Sequence, residues 1–172
     1  MCIRDSFTAQ GADEVEFMIS TNPGSIPPRP LGEVASGGEL ARIMLALKNV
    51  LAEGDEIGSL VFDEVDTGVS GRAAQKVAEK MAQVARRKQV LCVTHLPQIA
   101  AMADTHFAVS KGERGGRTYT ALERLDRTRR REELARLIGG ASVTPALLES
   151  AEELLAQAEQ LRERMGGEAP QT

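Results

Sequence analysis

The sequence has no tryptophan, one tyrosine and four phenylalanines, so any core it builds must be aliphatic. It has two cysteines, Cys2 and Cys92, too few for a disulfide framework. Cys92 lies inside the apolar run of residues 90–93 and reads as a small core residue. A reducing, cytoplasmic setting fits that usage. No apolar run approaches the ~18 residues of a membrane span, and no signal-peptide pattern is visible. There is no excess of positive charge: the formal net charge is −4, which removes any global electrostatic reason to expect nucleic-acid binding. The one basic run, Arg127 to Arg131, is diluted at once by Glu132 and Glu133 and reads as a solvated helix start rather than a DNA contact. Finally, no Gly-x-x-x-x-Gly-Lys-Ser/Thr phosphate loop occurs anywhere, so the chain carries no self-sufficient phosphate cradle of that kind.

What is present is enough for one domain: 172 residues, 42% of them apolar, a length and composition that can bury a real core. Residues 1–6 share no pattern with the rest of the chain and read as a non-native scar. Residues 7–165 read as one domain, and residues 166–172 as a disordered tail. Residues 15–20 alternate as a strand, and residues 22–30, rich in Pro and Gly, form an extended loop. After Ser36, the spacing of Leu40, Ile43, Met44, Leu47, Val50 and Leu51 predicts a helix with one apolar stripe, ended by Gly54. Residues 59–62 have strand length. A second helix runs from Ser70 or Gly71 to about Arg87, with Ala74, Val77, Ala78, Met81 and Val84 on one face. Residues 89–94 read as another buried strand, and residues 97–103 as a short helix with Pro97 in its first turn. Residues 105–110 and 117–125 form a hairpin across a glycine-rich turn. Two helices close the chain, at residues 129–138 and 144–165, the second capped by Thr144 with Pro145 after it. This order predicts an α/β fold with a mostly parallel sheet flanked by helices, followed by a hairpin and C-terminal helices.

Three motifs carry chemistry. Ser36-Gly37-Gly38-Glu39 opens a helix. Its glycines let a ligand approach the backbone, and the helix dipole favours an anion there. The same residues also fit a plain helix start, with Ser36 as cap and the glycines turning the chain. Asp63-Glu64 ends an apolar strand, at the edge where ligands bind in open α/β sheets. Asp63 suits Mg²⁺ through water, and Glu64 suits general-base activation of a water. A solvated strand end accounts for the pair equally well. His95 ends a third apolar stretch, where a histidine can meet a phosphate or serve as a satisfied structural residue.

Taken in order, these strings resemble the ATP-binding-cassette ATPases. Ser36-Gly-Gly-Glu39 resembles their signature motif, residues 60–64 their Walker B strand, residues 65–68 their D-loop, and His95 their switch histidine. Glu39 stands where transporters usually carry Gln, which points to the SMC-like, chromosome-maintenance branch. Three longer strings carry a closer likeness to bacterial DNA-repair members of that branch: Val34-Ala-Ser-Gly-Gly-Glu-Leu-Ala-Arg42, Phe62-Asp-Glu-Val-Asp-Thr-Gly-Val-Ser-Gly71 and Gln89-Val-Leu-Cys-Val-Thr-His-Leu-Pro-Gln98. The resemblance implies the C-terminal lobe of an ATPase head, with the phosphate loop supplied by an N-terminal half of the same head. It implies ATP and Mg²⁺ as cofactors, with Asp63 on the metal, and Glu64 and His95 in catalysis. Ser36, Gly37, Gly38, Glu39 and Asp66 would bind nucleotide, Asp66 from a loop between protomers. It further implies a second head in an ATP-sandwiched homodimer, DNA engaged through the full-length protein, repair of double-strand breaks and recombination, and a cytoplasmic, nucleoid-associated location with no membrane partner. This chain by itself is expected to be inactive. A transporter ATPase lobe and a head-pairing module without chemistry are the competing expectations.

Overall fold

The computed structural model describes residues 11, 16–20, 27–51, 56–114 and 116–167. The expected scar at residues 1–6, most of the loop expected at residues 22–30, the helix stop at Gly54 and most of the tail expected at residues 166–172 lie outside them; of the rest, residues 29–30 form a strand and residues 166–167 continue the last helix. The chain divides into two compact units, residues 1–36 and 37–172.

In the first unit, β1 (Met18–Ile19) pairs antiparallel with β2 (Arg29–Pro30), followed by α1 (Leu31–Val34). The Leu31 N–H donates to the Phe17 carbonyl at 2.8 Å, which ties the helix start back to the strand.

The second unit begins with α2 (Gly37–Val50) and β3 (Ser59–Phe62). Next come α3 (Gly71–Ala85), β4 (Gln89–Cys92) and α4 (Pro97–Met102). The hairpin β5 (Phe107–Arg114) and β6 (Arg117–Arg124) precedes α5 (Arg127–Gly139) and α6 (Pro145–Gly167). Strands β3 and β4 pair in parallel, Leu60 opposite Val90 and Phe62 opposite Cys92. The α/β class therefore holds, while the parallel sheet among the described residues is this one pair; the hairpin strands pair antiparallel with each other.

Helix α3 behaves as its periodicity dictates: Ala74, Val77, Ala78, Met81 and Val84 are all buried. It packs on α4, α4 on α5 and α6, and α5 on α6. Their shared core includes Leu134, Leu155, Ala101 and Ile99. Helix α2 departs from expectation. Leu45 is its buried apolar side chain, while Leu40, Met44, Leu47 and Val50 of the anticipated stripe are exposed. The stripe exists in the sequence, but α2 turns a narrower face, through Gly38 and Leu45, to the rest of the unit. Strand β4 likewise has one covered side only. Leu91 stands 50% exposed, Val93 just past the strand 64%, and Val61 opposite Leu91 on β3 72%.

The basic run is a helix start, as its sequence suggests, but it is not simply solvated. Asp126 caps α5 by accepting the Arg129 N–H at 2.9 Å. Arg127 pairs with Glu152 at 2.7 Å and also with Glu159, and Arg129 pairs with Glu123. Arg130 turns inward to the Ala103 carbonyl at 2.7 Å. Helix α6 runs to Gly167, slightly past the expected end near Met165.

Candidate functional site

Both strands of the parallel pair end on the same edge, and the sequence motifs follow them there. β3 stops at Phe62, and residues 63–68 turn before α3. Phe62 and Val65 are buried, so they pin the turn from within and leave Asp63 and Glu64 exposed between them. The acids lie in the turn rather than alternating on the strand. Asp63 Oδ1 accepts the Glu64 N–H at 2.9 Å, and the Thr67 N–H donates to the Glu64 carbonyl at 3.0 Å. Glu64 has φ of 57°, a left-handed conformation that costs a non-glycine residue about 1–3 kcal/mol and persists only where its surroundings over-determine it.

Helix α2 supplies that constraint. Gly38 is buried, and a Cβ there would lie 2.9 Å from the Glu64 carbonyl oxygen and 3.0 Å from both Thr67 Cβ and the Thr67 carbonyl oxygen. At Gly37 a Cβ would meet Glu64 Oε2 at 2.8 Å. About one helical turn on, the Arg42 guanidinium donates to the carbonyls of Val65 at 3.2 Å and Thr67 at 2.7 Å. The glycines thus serve first to bring the helix start against the turn. Gly38 is covered by it. Gly37 and Glu39 remain exposed. Ser36 is exposed as well and ends the first unit.

The second strand brings His95. The Val93 N–H donates to the Phe62 carbonyl at 3.0 Å, so residues 93–96 leave the sheet beside the turn. There Asp66 Oδ2 accepts the Thr94 hydroxyl at 2.6 Å and the His95 N–H at 2.9 Å, and it lies at ion-pair distance, 3.0 Å, from His95 Nδ1. The Thr94 hydroxyl oxygen also accepts the Leu96 N–H at 3.0 Å. Asp66 is 4% exposed, whereas the His95 side chain is 74% exposed. Burial alone would raise the Asp66 carboxyl, but the bonds from Thr94 and the His95 main chain, and the attraction of the imidazole, hold it below the usual carboxylate value. Asp66, expected to bind nucleotide from a loop between protomers, is buried in this chain. It is the buried post that fixes the His95 loop.

Asp63, Glu64 and His95 are thus gathered at one sheet edge, with Gly37 beside Glu64. Arg42 and Thr94, which organise the turn and the loop, were missed in the sequence. Arg42 stands on the face of α2 that the apolar spacing left unassigned, and Thr94 gave no signal beyond preceding His95. Among the described residues no group of three or more His, Cys, Asp or Glu is placed to hold a metal ion. Asp63 alone fits one ligand of a Mg²⁺ that arrives with phosphates, since that ion keeps several waters and takes one or two carboxylates.

The chain has clear relatives. The chain is 53% identical over 149 residues to the DNA repair protein RecN of Halalkalibacterium halodurans, matching 87% of this chain and 26% of that protein. It is 50% identical to RecN of Bacillus subtilis, over 90% of this chain and 27% of that protein. It is 46% identical to RecN of Treponema pallidum, over 90% and 28%. The chain is RecN-like and matches the C-terminal portion of that protein. It spans about a quarter of the length of these RecN relatives. No family model matches the chain. Among solved structures it is similar to one described as "Structural biochemistry of ATP-driven dimerization and DNA stimulated activation of SMC ATPases", at a TM-score of 0.40 and 24% identity, over 62% of this chain and 71% of that one. A likeness that weak fixes neither fold nor function.

Proposed function

We propose that this chain supplies the C-terminal part of a RecN-type ATPase head acting in repair of DNA double-strand breaks and recombination. One observation carries the reading: the turn bearing Asp63 and Glu64 and the loop bearing His95 meet at the ends of two parallel strands, tied by Asp66. A water-activating carboxylate needs an exposed position on a held backbone, and Glu64 is exposed with its N–H and carbonyl both bonded in the turn. His95, 74% exposed at the same sheet edge, would meet a phosphate oxygen. Asp63 would hold Mg²⁺, which supplies charge neutralisation on the phosphates when bound. The phosphate loop would come from the N-terminal half of the same head. Ser36, Gly37, Gly38 and Glu39 would bind the nucleotide of a second head in an ATP-held homodimer. The names of the RecN relatives support the DNA-repair assignment. A protein of this kind would work on the nucleoid in the cytoplasm. Among the described residues no helix is long and apolar enough to cross a membrane.

The test is ATP turnover after mixing this chain with a separately made N-terminal head half carrying a phosphate loop. Turnover should require both pieces and fall by about 10²–10⁴ with Glu64→Gln, the range of a lost general base. Association of the two halves without turnover would favour a second reading, a head-pairing module without chemistry. The lack of a phosphate loop in the sequence favours that reading for the chain taken alone.

A further inference from the structure

The main-chain carbonyls of the turn after β3 have two kinds of partner. Those of Glu64 and Asp66 are taken within the turn, by the Thr67 N–H at 3.0 Å and the Val69 N–H at 3.3 Å. Those of Val65 and Thr67 are taken by one side-chain nitrogen, Arg42 Nη1 on α2, at 3.2 Å and 2.7 Å. Val65 is wholly buried, so water does not reach its carbonyl, and a buried carbonyl without a donor bears the full penalty of desolvation. The same helix meets Glu64 itself. A Cβ on Gly38 would lie 2.9 Å from the Glu64 carbonyl oxygen, and one on Gly37 2.8 Å from Glu64 Oε2. Glu64 has a left-handed φ of 57°, which relaxes unless its surroundings hold it.

We propose that Arg42 is a positioning residue for Glu64: by bonding the Val65 and Thr67 carbonyls it clamps the turn to α2 and keeps the Glu64 carboxylate in place at the sheet edge. The value of this for catalysis rests on the ATPase reading above, in which Glu64 activates a water. Asp63 holds Glu64 from the preceding residue, through the Glu64 N–H at 2.9 Å. Arg42 holds the chain that follows Glu64, with charge-assisted bonds that are stronger than neutral ones. Its bonds are to main-chain carbonyls, so it acts through Glu64 and not on substrate. A carboxylate that must meet a water in line with a phosphate loses rate steeply when displaced by about an ångström.

Arg42→Met keeps the aliphatic stem of the side chain and removes its donors. Amide hydrogen exchange of this chain then tests the clamp without any turnover. The Thr67 N–H, bonded to the Glu64 carbonyl, should exchange about tenfold faster or more in Arg42→Met, the scale of a lost hydrogen bond to a charged group. Amides in α3 should keep their rates. Unchanged exchange at Thr67 would overturn the proposal. So would an equal rise throughout α3, or a chain that no longer folds, because Arg42 would then support the whole unit rather than the turn. In the two-piece ATPase mixture, Arg42→Met should lower kcat by up to about 100-fold, the scale of a displaced catalytic group. KM should stay unchanged, the pattern of an interaction made only in the transition state. Arg42→Lys, which returns a donor, should recover part of that loss. Added to Glu64→Gln, Arg42→Met should cost little more, because residues acting as a unit are not additive. Full additivity, or a rise in KM alone, would also overturn it. A mixture of unaltered halves with no turnover at all would instead sink the ATPase reading, and exchange at Thr67 would still decide whether Arg42 clamps the turn.

Discussion

At the level of single residues, two side chains show how burial sets chemistry in this chain. Cys92 looks from sequence like a small core residue, and its surroundings confirm that it behaves as one. Burial, and then the charges of Asp66 and Asp63, push its thiol up to about 12. Its thiolate fraction at pH 8 is then about 10⁻⁴, far below that of a free thiol. Native chain should therefore alkylate at Cys92 orders of magnitude more slowly than denatured chain, as read by mass spectrometry of iodoacetamide-treated peptides. His106 is the second case. Burial lowers it, Arg130 lowers it further, and Glu133 opposes both; its Nδ1 is buried without a hydrogen-bond partner. The folded chain thus refuses a proton that the unfolded chain accepts below about 6.5. Stability is full above that pH and declines as pH falls toward the lower folded value. Denaturant titrations at a series of pH values should show this decline, and His106→Gln should flatten that part of the profile.

Among the elements, α2 and α4 matter most, because they hold the two arms of the candidate site. Gly38→Ala would drive a methyl into the Glu64 carbonyl and Thr67. Both are parts of a fixed turn, so a cost of about 1–3 kcal/mol is expected, the range for forced overpacking. Gly37→Ala meets only the carboxylate end of Glu64, which can swing away. Thermal or chemical denaturation should therefore separate the two substitutions, while a two-piece ATPase assay should find Gly37→Ala impaired through the displaced Glu64. Helix α4 is six residues long, too short to hold itself. Its C-terminal carbonyls are taken by arginines from two other helices: Arg130 on Ala103 at 2.7 Å, and Arg162 on Ala103 at 3.0 Å. Arg162→Ala should cost about 1.5–3 kcal/mol, the range of a lost hydrogen bond to a charged group. These elements also show what was legible beforehand. Strand β3, helix α3, the Pro97 start of α4 and the Thr144–Pro145 start of α6 follow from local rules and sit where those rules put them. The partner of each side chain does not follow. Three- and four-residue spacing identifies an apolar face on α2, but not that a glycine and an arginine on another face would do the packing. Asp66 reads as a loop acid that would bind nucleotide between protomers, and nothing local reveals that a loop about thirty residues away closes over it.

The unit formed by residues 37–172 is unevenly covered as a whole. Parallel strands are ordinarily buried on both faces, yet among the described residues only the inner face of the β3–β4 pair meets helices. Val61, Leu91 and Val93 lie open on the other. Helix α2 repeats the pattern, with Leu40, Met44, Leu47 and Val50 exposed along it. Apolar residues scattered singly on a surface are ordinary, but a run of them on a parallel pair is not. Each of the three strand residues would gain about 1.5–3 kcal/mol on full burial, which is enough to drive association. On the function proposed above, the occupant would be the other half of the same head. Val61→Glu should then leave the stability of the isolated chain within about 0.5 kcal/mol, as for a surface change, and lower its binding of a hydrophobic dye. Its affinity for the N-terminal head half should fall by tenfold or more, read by calorimetry or light scattering. Loss of folding in Val61→Glu would mean instead that this face is already part of the chain's own core. Unchanged affinity would move the contact with the other half elsewhere, to α2 or to the hairpin, where Val109 and Leu122 stand opposite each other and exposed.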